Sequence, residues 1–351
     1  MKKLLITGGA GFIGSNFIKY MLKKYKEYKV LNLDLLTYAG NLENLQMIED
    51  NPNYIFIKGD ISDKKLLREL FNKYDFNYIV NFAAESHVDR SIQNPASFVK
   101  TNVLGTQTLL DAAKNHWKKG ENKKGYPQYK DDVKFIQIST DEVYGQLDKK
   151  GYFKENSHIT PSSPYSASKA SADIFVSSYY KTYKLPINIT RCSNNYGPFQ
   201  FPEKLIPLII TNALKNKKLP VYGDGMQVRD WLHVKDHCKA LDLILHRGKV
   251  GEVYNIGGNN EITNLKLIRL ILDKMNKSED LIKHVRDRLN HDQRYAIDNS
   301  KITYELNWKP QYKLNEGIGE TINWYLNNRG WWEKIRSGQY QSYYEKMYSN
   351  R

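Results

Sequence analysis

The sequence has few cysteines and no long hydrophobic run. Its 351 residues include two cysteines, Cys192 and Cys238, which are too few for a disulfide framework or a cysteine metal cluster. Both stand among apolar residues, so we expect them to be small core residues. No apolar stretch approaches the roughly 18 residues that a transmembrane helix needs. We therefore expect neither a membrane-spanning segment nor a metal site.

The first residues are charged and then apolar, as in the beginning of a secretory signal. Glycines from Gly8 onward interrupt the apolar run, and no small-residue cleavage site follows. We interpret this segment as the first strand of a cytoplasmic protein.

Basic residues outnumber acidic ones. The chain has 53 Lys and Arg residues against 38 Asp and Glu, a formal net charge of +15. Such a charge raises the possibility of nucleic-acid binding, but the lysines are scattered along the chain. Their one cluster, at 114–130, contains Gly120, Gly125 and Pro127, which is typical of a solvated surface insertion. We expect no nucleic-acid partner and a modest attraction for an anionic substrate.

A glycine-rich turn follows the first predicted strand, Lys2–Thr7. Gly8, Gly11 and Gly14 lie in this turn, and a helix is predicted from about Ser15. A turn without side chains lets the backbone approach a pyrophosphate, whose charge the helix N-terminus then meets. The spacing resembles that of short-chain and extended-chain dehydrogenase/reductases, so we predict a dinucleotide site.

Acidic residues end the next two predicted strands. Asp34 closes the strand Lys29–Asp34, where a carboxylate accepts hydrogen bonds from the adenosine ribose and repels a 2′-phosphate, favouring NAD over NADP. Asp60 follows the strand Ile55–Lys58 and is placed to reach the adenine.

The run Ala83–Arg90 follows the fourth predicted strand, Tyr78–Phe82. Small side chains at Ala83 and Ala84 allow a flat ring to come close, and the charged residues after them are either loop solvation or a pocket wall. His87, with no second ligand near it, does not indicate a metal.

The segment Ser139–Gly145 carries two adjacent carboxylates, Asp141 and Glu142, directly after a predicted buried strand at 133–138. Carboxyl ends of parallel strands face the ligand crevice. Tyr165 and Lys169, four residues apart, share one face of a helix. We therefore expect all four side chains in one pocket.

These residue types suit redox chemistry combined with an elimination. A tyrosine, with an ordinary pKa near 10, needs a nearby cation to act as a base, and Lys169 and the nicotinamide supply positive charge. Together with Thr140, Tyr165 and Lys169 suffice to oxidise a secondary alcohol. Asp141 and Glu142 then add an acid–base pair, which permits loss of water beside the new ketone.

The alternating strand–helix pattern stops after the predicted strand Ile187–Thr190. Between residues 199 and 249 we predict one helix, Leu205–Lys215, and a strand at 228–234 that returns to the main body. The predicted fold is α/β, a Rossmann-type doubly wound parallel sheet with a smaller C-terminal substrate-binding part. We assign residues 1–195 and about 228–260 to the NAD-binding domain, and about 196–227 and 261–330 to the substrate-binding part. The aromatic tail, 331–351, is interpreted as packed cover.

Four further segments carry a family resemblance together with the glycine turn and Tyr165/Lys169. They are Ser139–Gly145, Ala83–Ser91, Arg191–Pro198 with Pro202–Leu205, and Val228–Leu232. The chain resembles the dTDP-glucose 4,6-dehydratases, a family of extended short-chain dehydrogenase/reductases, except in the insertion and after about Arg329. The 4-epimerases of the same fold generally lack the Asp-Glu pair.

The resemblance implies a reaction and a set of contacts. Tyr165, Thr140 and Lys169 would oxidise the glucosyl C4, Glu142 would remove the C5 proton, and Asp141 would protonate the leaving C6 hydroxyl, with a tightly bound NAD regenerated each cycle. The implied cofactor-binding residues are Gly8, Gly11, Phe12, Ile13, Gly14, Asp34, Thr37, Asp60, Ile61, Ala83, Ala84, Tyr165 and Lys169. The implied substrate-binding residues are Glu85, His87, Arg90, Thr140, Asn194, Asn195, Lys204, Leu205, Tyr222, Arg229, Asn264 and His291. A homodimer through helices at about 95–117 and 165–182 is also implied.

One segment departs from the family pattern. The family's Arg-x-Gly-His-Asp is Arg288–Asp292 here, with Asn290 in place of the glycine. Asparagine tolerates a left-handed backbone better than most residues, so we expect the turn to be kept.

Alternative functions remain open at this point. A UDP-sugar 4,6-dehydratase or a sugar-nucleotide 4-epimerase would use the same glycine turn and Tyr165/Lys169. A non-catalytic NAD-binding module would need neither Asp141 nor Glu142.

Overall fold

Seven parallel strands form the central sheet of the protein, as seen in a computed structural model that describes residues 1–148 and 150–337. The described strands are β1 (Lys3–Thr7), β2 (Lys29–Asp34), β3 (Tyr54–Lys58), β4 (Tyr78–Asn81), β5 (Lys118–Glu121), β6 (Pro127–Tyr129), β7 (Lys134–Thr140), β8 (Ile187–Cys192), β9 (Asn194–Tyr196), β10 (Leu219–Tyr222), β11 (Val228–His233), β12 (Val253–Ile256), β13 (Glu261–Thr263) and β14 (Ile282–Val285). The central sheet has the order β12-β8-β7-β4-β1-β2-β3, and the small sheets are β13-β11-β9, β10-β14 and the hairpin β5-β6.

Helices cover both faces of the central sheet and build the C-terminal part. They are α1 (Phe12–Lys24), α2 (Lys64–Tyr74), α3 (Val88–Gln93), α4 (Pro95–Phe98), α5 (Thr106–Trp117), α6 (Pro164–Tyr183), α7 (Leu205–Leu214), α8 (Val234–Arg247), α9 (Asn264–Lys274), α10 (Ser300–Leu306), α11 (Leu314–Asn327) and α12 (Arg329–Arg336). A π-helical segment, Val99–Gly105, joins α4 to α5, and 3₁₀ turns occur at Leu42–Ile48, Asp141–Tyr144 and Glu279–Leu281.

The strand order reverses between β1 and β4, which places a ligand crevice at their carboxyl ends. From β1 the chain adds β2 and β3 on one side, and from β4 it adds β7, β8 and β12 on the other. Ligands of doubly wound sheets bind at such a switch point. The predicted fold class is confirmed.

The sheet is buried on both faces because its strands are apolar almost throughout. One apolar core lies under α1 and α8, with Phe17 and Leu241 fully buried, and the other lies under α2, α5 and α6, with Leu67 and Val176 fully buried. Each such side chain contributes about 1.5–3 kcal/mol when removed from water. A third core joins α7, α9, α11 and α12 to the sheets β13-β11-β9 and β10-β14.

Several element boundaries differ from the sequence prediction. The structure has two helices between residues 199 and 249, and α8 was missed. Its first residue, Val234, was assigned to the preceding strand, which ends at His233. Polar side chains such as Asp236 and Asp242 are buried in α8 and obscure its apolar face. The preceding strand, β11, pairs with β9 and β13, whereas β12 enters the central sheet. The division into domains stays a prediction.

The insertion and the tail are partly described. The segment at 114–130 begins within α5 and continues as the exposed hairpin of β5 and β6. Trp331 and Trp332 pack into the third core, while residues 338–351 of the predicted aromatic tail lie outside the described residues. Over 1–148 and 150–337, no helix combines the length and apolar character needed to cross a bilayer.

Candidate active site

The glycine turn has the shape that close contact with a dinucleotide requires. Gly8 has φ 68°, and a Cβ there would lie 2.6 Å from the backbone nitrogen of Ala83 on the neighbouring β4 loop. A Cβ on Gly14 would lie 2.5 Å from the carbonyl oxygen of Gly8. The helix α1 begins at Phe12, earlier than predicted, after Gly11 as its N-cap. Since Gly11 has no side chain to cap the helix, the first-turn N–H groups suit a pyrophosphate.

The carboxylate of Asp34 binds a backbone N–H group of the turn and can still accept hydrogen bonds from a ribose. Its carboxylate accepts N–H bonds from Ala10 (2.9 Å) and Leu36 (2.8 Å). A carboxylate has about four lone-pair sites, so two remain for hydroxyl groups. Burial raises the pKa of Asp34, and the two backbone N–H groups oppose that rise. The residues present therefore fit NAD.

A capping box fixes the start of α6 and with it Tyr165. The Ser163 hydroxyl accepts from the N–H of Ser166 (3.1 Å), and the Ser166 hydroxyl accepts from the N–H of Ser163 (2.9 Å). Pro164 occupies the first turn, where its missing N–H costs nothing. Tyr165 therefore projects from the first turn of a rigid helix.

Lys169 lies one turn further along α6, with its ammonium group beneath the end of β7. It is buried and donates to the carbonyl of Ile138 at 2.6 Å. Burial lowers the pKa of Lys169, while the charge of Asp173, the next residue on this helix face, raises it. Asp173 also forms a buried ion pair with Arg191 at 2.9 Å.

Thr140, Asp141 and Glu142 stand where β7 ends and a 3₁₀ turn begins. The Thr140 hydroxyl accepts from the N–H of Glu142 (3.3 Å) and donates to Asp141 (3.3 Å). Burial and the nearby charge of Glu142 raise the pKa of Asp141 well above its usual range, and its Oδ2 has no partner within the described residues. Burial also raises the pKa of Glu142, but Lys204 and Arg229 oppose the rise. The pKa of Asp141 is thus raised most strongly, which favours its neutral acid form, whereas nearby cations counteract the rise at Glu142.

A cavity of about 310 Å³ runs from the glycine turn to the two carboxylates. Every residue predicted to bind the cofactor lies on its wall, together with Glu85, Thr140, Asp141, Glu142 and Asn195.

A second cavity, of about 170 Å³, adjoins the first at Glu142. The remaining predicted substrate residues on its wall are His87, Asn194, Lys204, Leu205, Tyr222, Arg229, Asn264 and His291. Lys204 donates to the carbonyl of Ser86 (2.9 Å), and burial lowers the pKa values of both Lys204 and Arg229. Buried cations at this place suit an anionic ligand.

Arg90 lies on neither cavity wall, although it was predicted beside the sugar. Its guanidinium stacks on the Tyr38 ring at 3.8 Å and pairs with Glu203 at 3.3 Å. Glu203 lines both cavities, so Arg90 contacts a residue of the cavity wall and is not part of the wall itself.

Arg288 and Asp89 are among the residues of the second cavity that the sequence prediction left out. Arg288 binds Asp89 through two hydrogen bonds, at 2.8 and 3.0 Å, and both line the cavity. Arg288 stood in the segment that resembles the family, but Asp89 lies 199 residues away, so no local pattern could pair them.

Asn290 adopts the left-handed backbone, with φ 48°, as expected. Its side chain also donates to the carbonyl of Ser162 (3.0 Å), a bond that a glycine cannot make. Asn290 therefore links the loop that carries Arg288 and His291 to the residue before the α6 cap.

Within the described ranges, no group of three or more His, Cys, Asp or Glu residues could hold a metal ion.

Fold and site together define an enzyme of the short-chain dehydrogenase/reductase class, built to hold a dinucleotide beside a sugar nucleotide. The chain belongs to the sugar-nucleotide dehydratase family whose model, described as GDP-mannose 4,6 dehydratase, matches residues 5–321. The resemblance to dTDP-glucose 4,6-dehydratases is confirmed.

Individual relatives bear that name. The dTDP-glucose 4,6-dehydratase of Xanthomonas campestris pv. campestris (strain B100) is 48% identical, covering 97% of this chain and 98% of its own length. The solved dTDP-glucose 4,6-dehydratase of Bacillus anthracis, in complex with NAD, is 51% identical with a TM-score of 0.86, covering 95% of this chain and 100% of that one. That of Streptomyces venezuelae, also with NAD bound, is 46% identical with a TM-score of 0.88, covering 95% and 99%.

Proposed function

We propose that this chain is an NAD-dependent lyase, a dTDP-glucose 4,6-dehydratase. It converts dTDP-glucose to dTDP-4-keto-6-deoxyglucose and water. The observation that carries this proposal is the adjacent pair of buried Asp141 and half-buried Glu142, where the dinucleotide cavity meets the cationic cavity. NAD held in the first cavity would supply the acceptor for the C4 hydride and the donor for C6, so it would be regenerated in each cycle.

Tyr165 takes the proton from the 4-hydroxyl group in this proposal. Burial raises the pKa of Tyr165 well above 10, so the phenolate needs support from positive charge. Lys169 supplies a cation one helical turn away, and the Thr140 hydroxyl hydrogen-bonds the same substrate oxygen.

Glu142 and Asp141 divide the elimination between them. Lys204 and Arg229 favour the ionised form of Glu142 against the effect of burial, so Glu142 is the carboxylate that removes the C5 proton. Asp141, biased towards its neutral form, gives its proton to the C6 hydroxyl, which leaves as water. Glu142 then returns a proton to C5.

Three cations of the second cavity bind the diphosphate. Lys204, Arg229 and Arg288 converge there, and Tyr222 and His291 form an aromatic wall, with ring centroids 6.2 Å apart, for the nucleoside. The net charge of +15 favours the approach of this anionic substrate.

The chain forms a homodimer in the cytoplasm, through the helix at 95–117 and α6. Apolar side chains are exposed on both: Val99 (56%) and Leu104 (49%) on the first helix, Ile174 (59%) and Phe175 (40%) on α6. Exposed apolar patches of this kind mark protein interfaces. Light scattering should give twice the mass of the 41.0 kDa chain.

The test of this function compares sugar nucleotides. Purified protein is incubated without added NAD with dTDP-glucose, UDP-glucose or GDP-mannose, and the products are weighed by mass spectrometry. We expect loss of one water from dTDP-glucose at the highest kcat/KM. A higher kcat/KM for UDP-glucose would reassign the substrate, and interconversion of C4 epimers at unchanged mass would reassign the reaction.

A further inference from the structure

Ala10 lies in the middle of the glycine turn. Its backbone N–H and its backbone carbonyl both form hydrogen bonds with residues outside the turn. Its N–H donates to Asp34 (2.9 Å), and its carbonyl accepts from the Asn44 side chain (2.9 Å) and from the N–H of Asn41 (3.0 Å). A glycine-rich turn has more conformational freedom than other sequences. These three hydrogen bonds therefore restrict the turn to one backbone conformation and preorganise it for a pyrophosphate.

Asn44 is in turn held by the C-terminal helix α12. The indole N–H of Trp331 donates to Asn44 Oδ1 at 2.9 Å, and Asn44 is buried. An indole nitrogen only donates and a backbone carbonyl only accepts, so Trp331 and Ala10 together permit one orientation of the amide. Without the Trp331 N–H, the amide loses the partner that directs its NH₂ group towards Ala10.

Trp331 is itself packed in an aromatic cluster with two partly buried rings. Its ring lies 5.1 Å from that of Trp324 and 6.0 Å from that of Phe199. Lys19 of α1 places its ammonium 3.3 Å from the centre of the Phe199 ring and donates to the Asn44 carbonyl at 3.0 Å. The cluster thus joins α12 to α1, the helix that follows the glycine turn.

We propose that Asn44 is a positioning residue for the cofactor-binding turn, and that Trp331 holds it in position. This rests on the proposed function, because the turn is taken to bind NAD. The family match ends at residue 321, before Trp331, so this role is argued from the contacts of this chain.

The test uses the full-length protein and two variants. Trp331→Phe keeps an aromatic ring but removes the N–H donor, and Asn44→Asp keeps the acceptor for Trp331 but removes the donor to Ala10. The control, Lys334→Ala, removes an exposed ion pair between the same helix and Glu43 (2.9 Å). The readouts are the rate at which bound NAD exchanges with isotopically labelled NAD, kcat at saturating NAD, and the unfolding midpoint.

We expect Trp331→Phe to exchange NAD about 3-fold to 10-fold faster, the range that loss of one hydrogen bond gives, with kcat within about twofold of wild type. Asn44→Asp should exchange faster still, and Lys334→Ala should match wild type. A lower unfolding midpoint with unchanged exchange in both variants would overturn the proposal and leave a purely structural role. A wild-type protein that holds no NAD would overturn the cofactor assignment as well, which separates the two failures.

Discussion

Replacing Asp173 by asparagine tests whether its buried carboxylate stabilises the fold and the protonated form of Lys169. Asp173 and Arg191 form an ion pair at 2.9 Å, with side chains 1% and 5% exposed. Arg191 also donates to the Tyr144 hydroxyl at 3.0 Å, which does not replace the lost charge. In Asp173→Asn, two buried cations, Arg191 and Lys169, remain without this carboxylate.

The magnitude follows from burial. Removing one partner of a buried ion pair costs about 3–5 kcal/mol, because the remaining charge is uncompensated. Asparagine keeps the shape and some hydrogen bonding, so we expect a loss of about 3 kcal/mol. The matched control, Glu252→Gln, breaks a half-exposed pair with Lys301 at 2.7 Å and should cost less than about 1 kcal/mol.

The same change should move the pH dependence of kcat. Burial lowers the pKa of Lys169, and the charge of Asp173 raises it. Without the Asp173 carboxylate, the pKa of Lys169 falls further, so the protonated lysine is lost at a lower pH and the alkaline limb of activity shifts down. Urea unfolding and a pH profile of kcat measure the two effects. Unfolding within about 0.5 kcal/mol of wild type, or an unmoved alkaline limb, would refute this reasoning.

Three further predictions concern substitutions at the carboxylate pair, at Asn290 and at Asp242. Glu142→Gln and Asp141→Asn should each abolish loss of water from dTDP-glucose but leave the bound NAD content unchanged, and water loss in either would contradict their roles. Asn290→Gly should raise KM about twofold to fivefold with kcat unchanged, because one exposed hydrogen bond to Ser162 is lost; Asn290→Asp, which also lacks the donor, should behave alike. Burial would raise the pKa of Asp242, but bonds from His246, Lys24, Tyr20 and Tyr25 lower it to about 2. Since this is below the unfolded value, Asp242→Asn should cost about 2 kcal/mol at neutral pH, with the difference from wild type vanishing as the pH falls from about 4 to 2; a constant difference in acid unfolding would argue against this.

Local features of the site were predictable from the sequence. The glycine turn needs three glycines at fixed spacing after a strand, and Tyr165 and Lys169 need only one helical turn between them. Asp141 and Glu142 come directly after a buried strand, so the strand alone predicted their position at the carboxyl ends of the sheet strands. All of these signals span a few residues, which is the range over which pattern and spacing determine structure.

Contacts between distant parts of the chain were not predictable. Asp89 and Arg288 are 199 residues apart, and Asn44 and Trp331 are 287 apart, so neither pair leaves a local pattern. Arg90 stands in a charged run beside the pocket, but only the fold brings Tyr38 and Glu203 to it. The helix α8 was missed for a different reason, since its buried polar side chains hide its apolar face.

The most direct test of the central claim is a single incubation in heavy water. Purified protein without added NAD is given dTDP-glucose, and the product is examined by mass spectrometry and nuclear magnetic resonance. We predict loss of one water and one solvent deuteron at C5, because Glu142 exchanges its proton with solvent before returning one to that carbon. An unchanged sugar mass with interconverted C4 epimers, or no reaction even with added NAD, would contradict the assignment of Asp141 and Glu142 as the elimination pair.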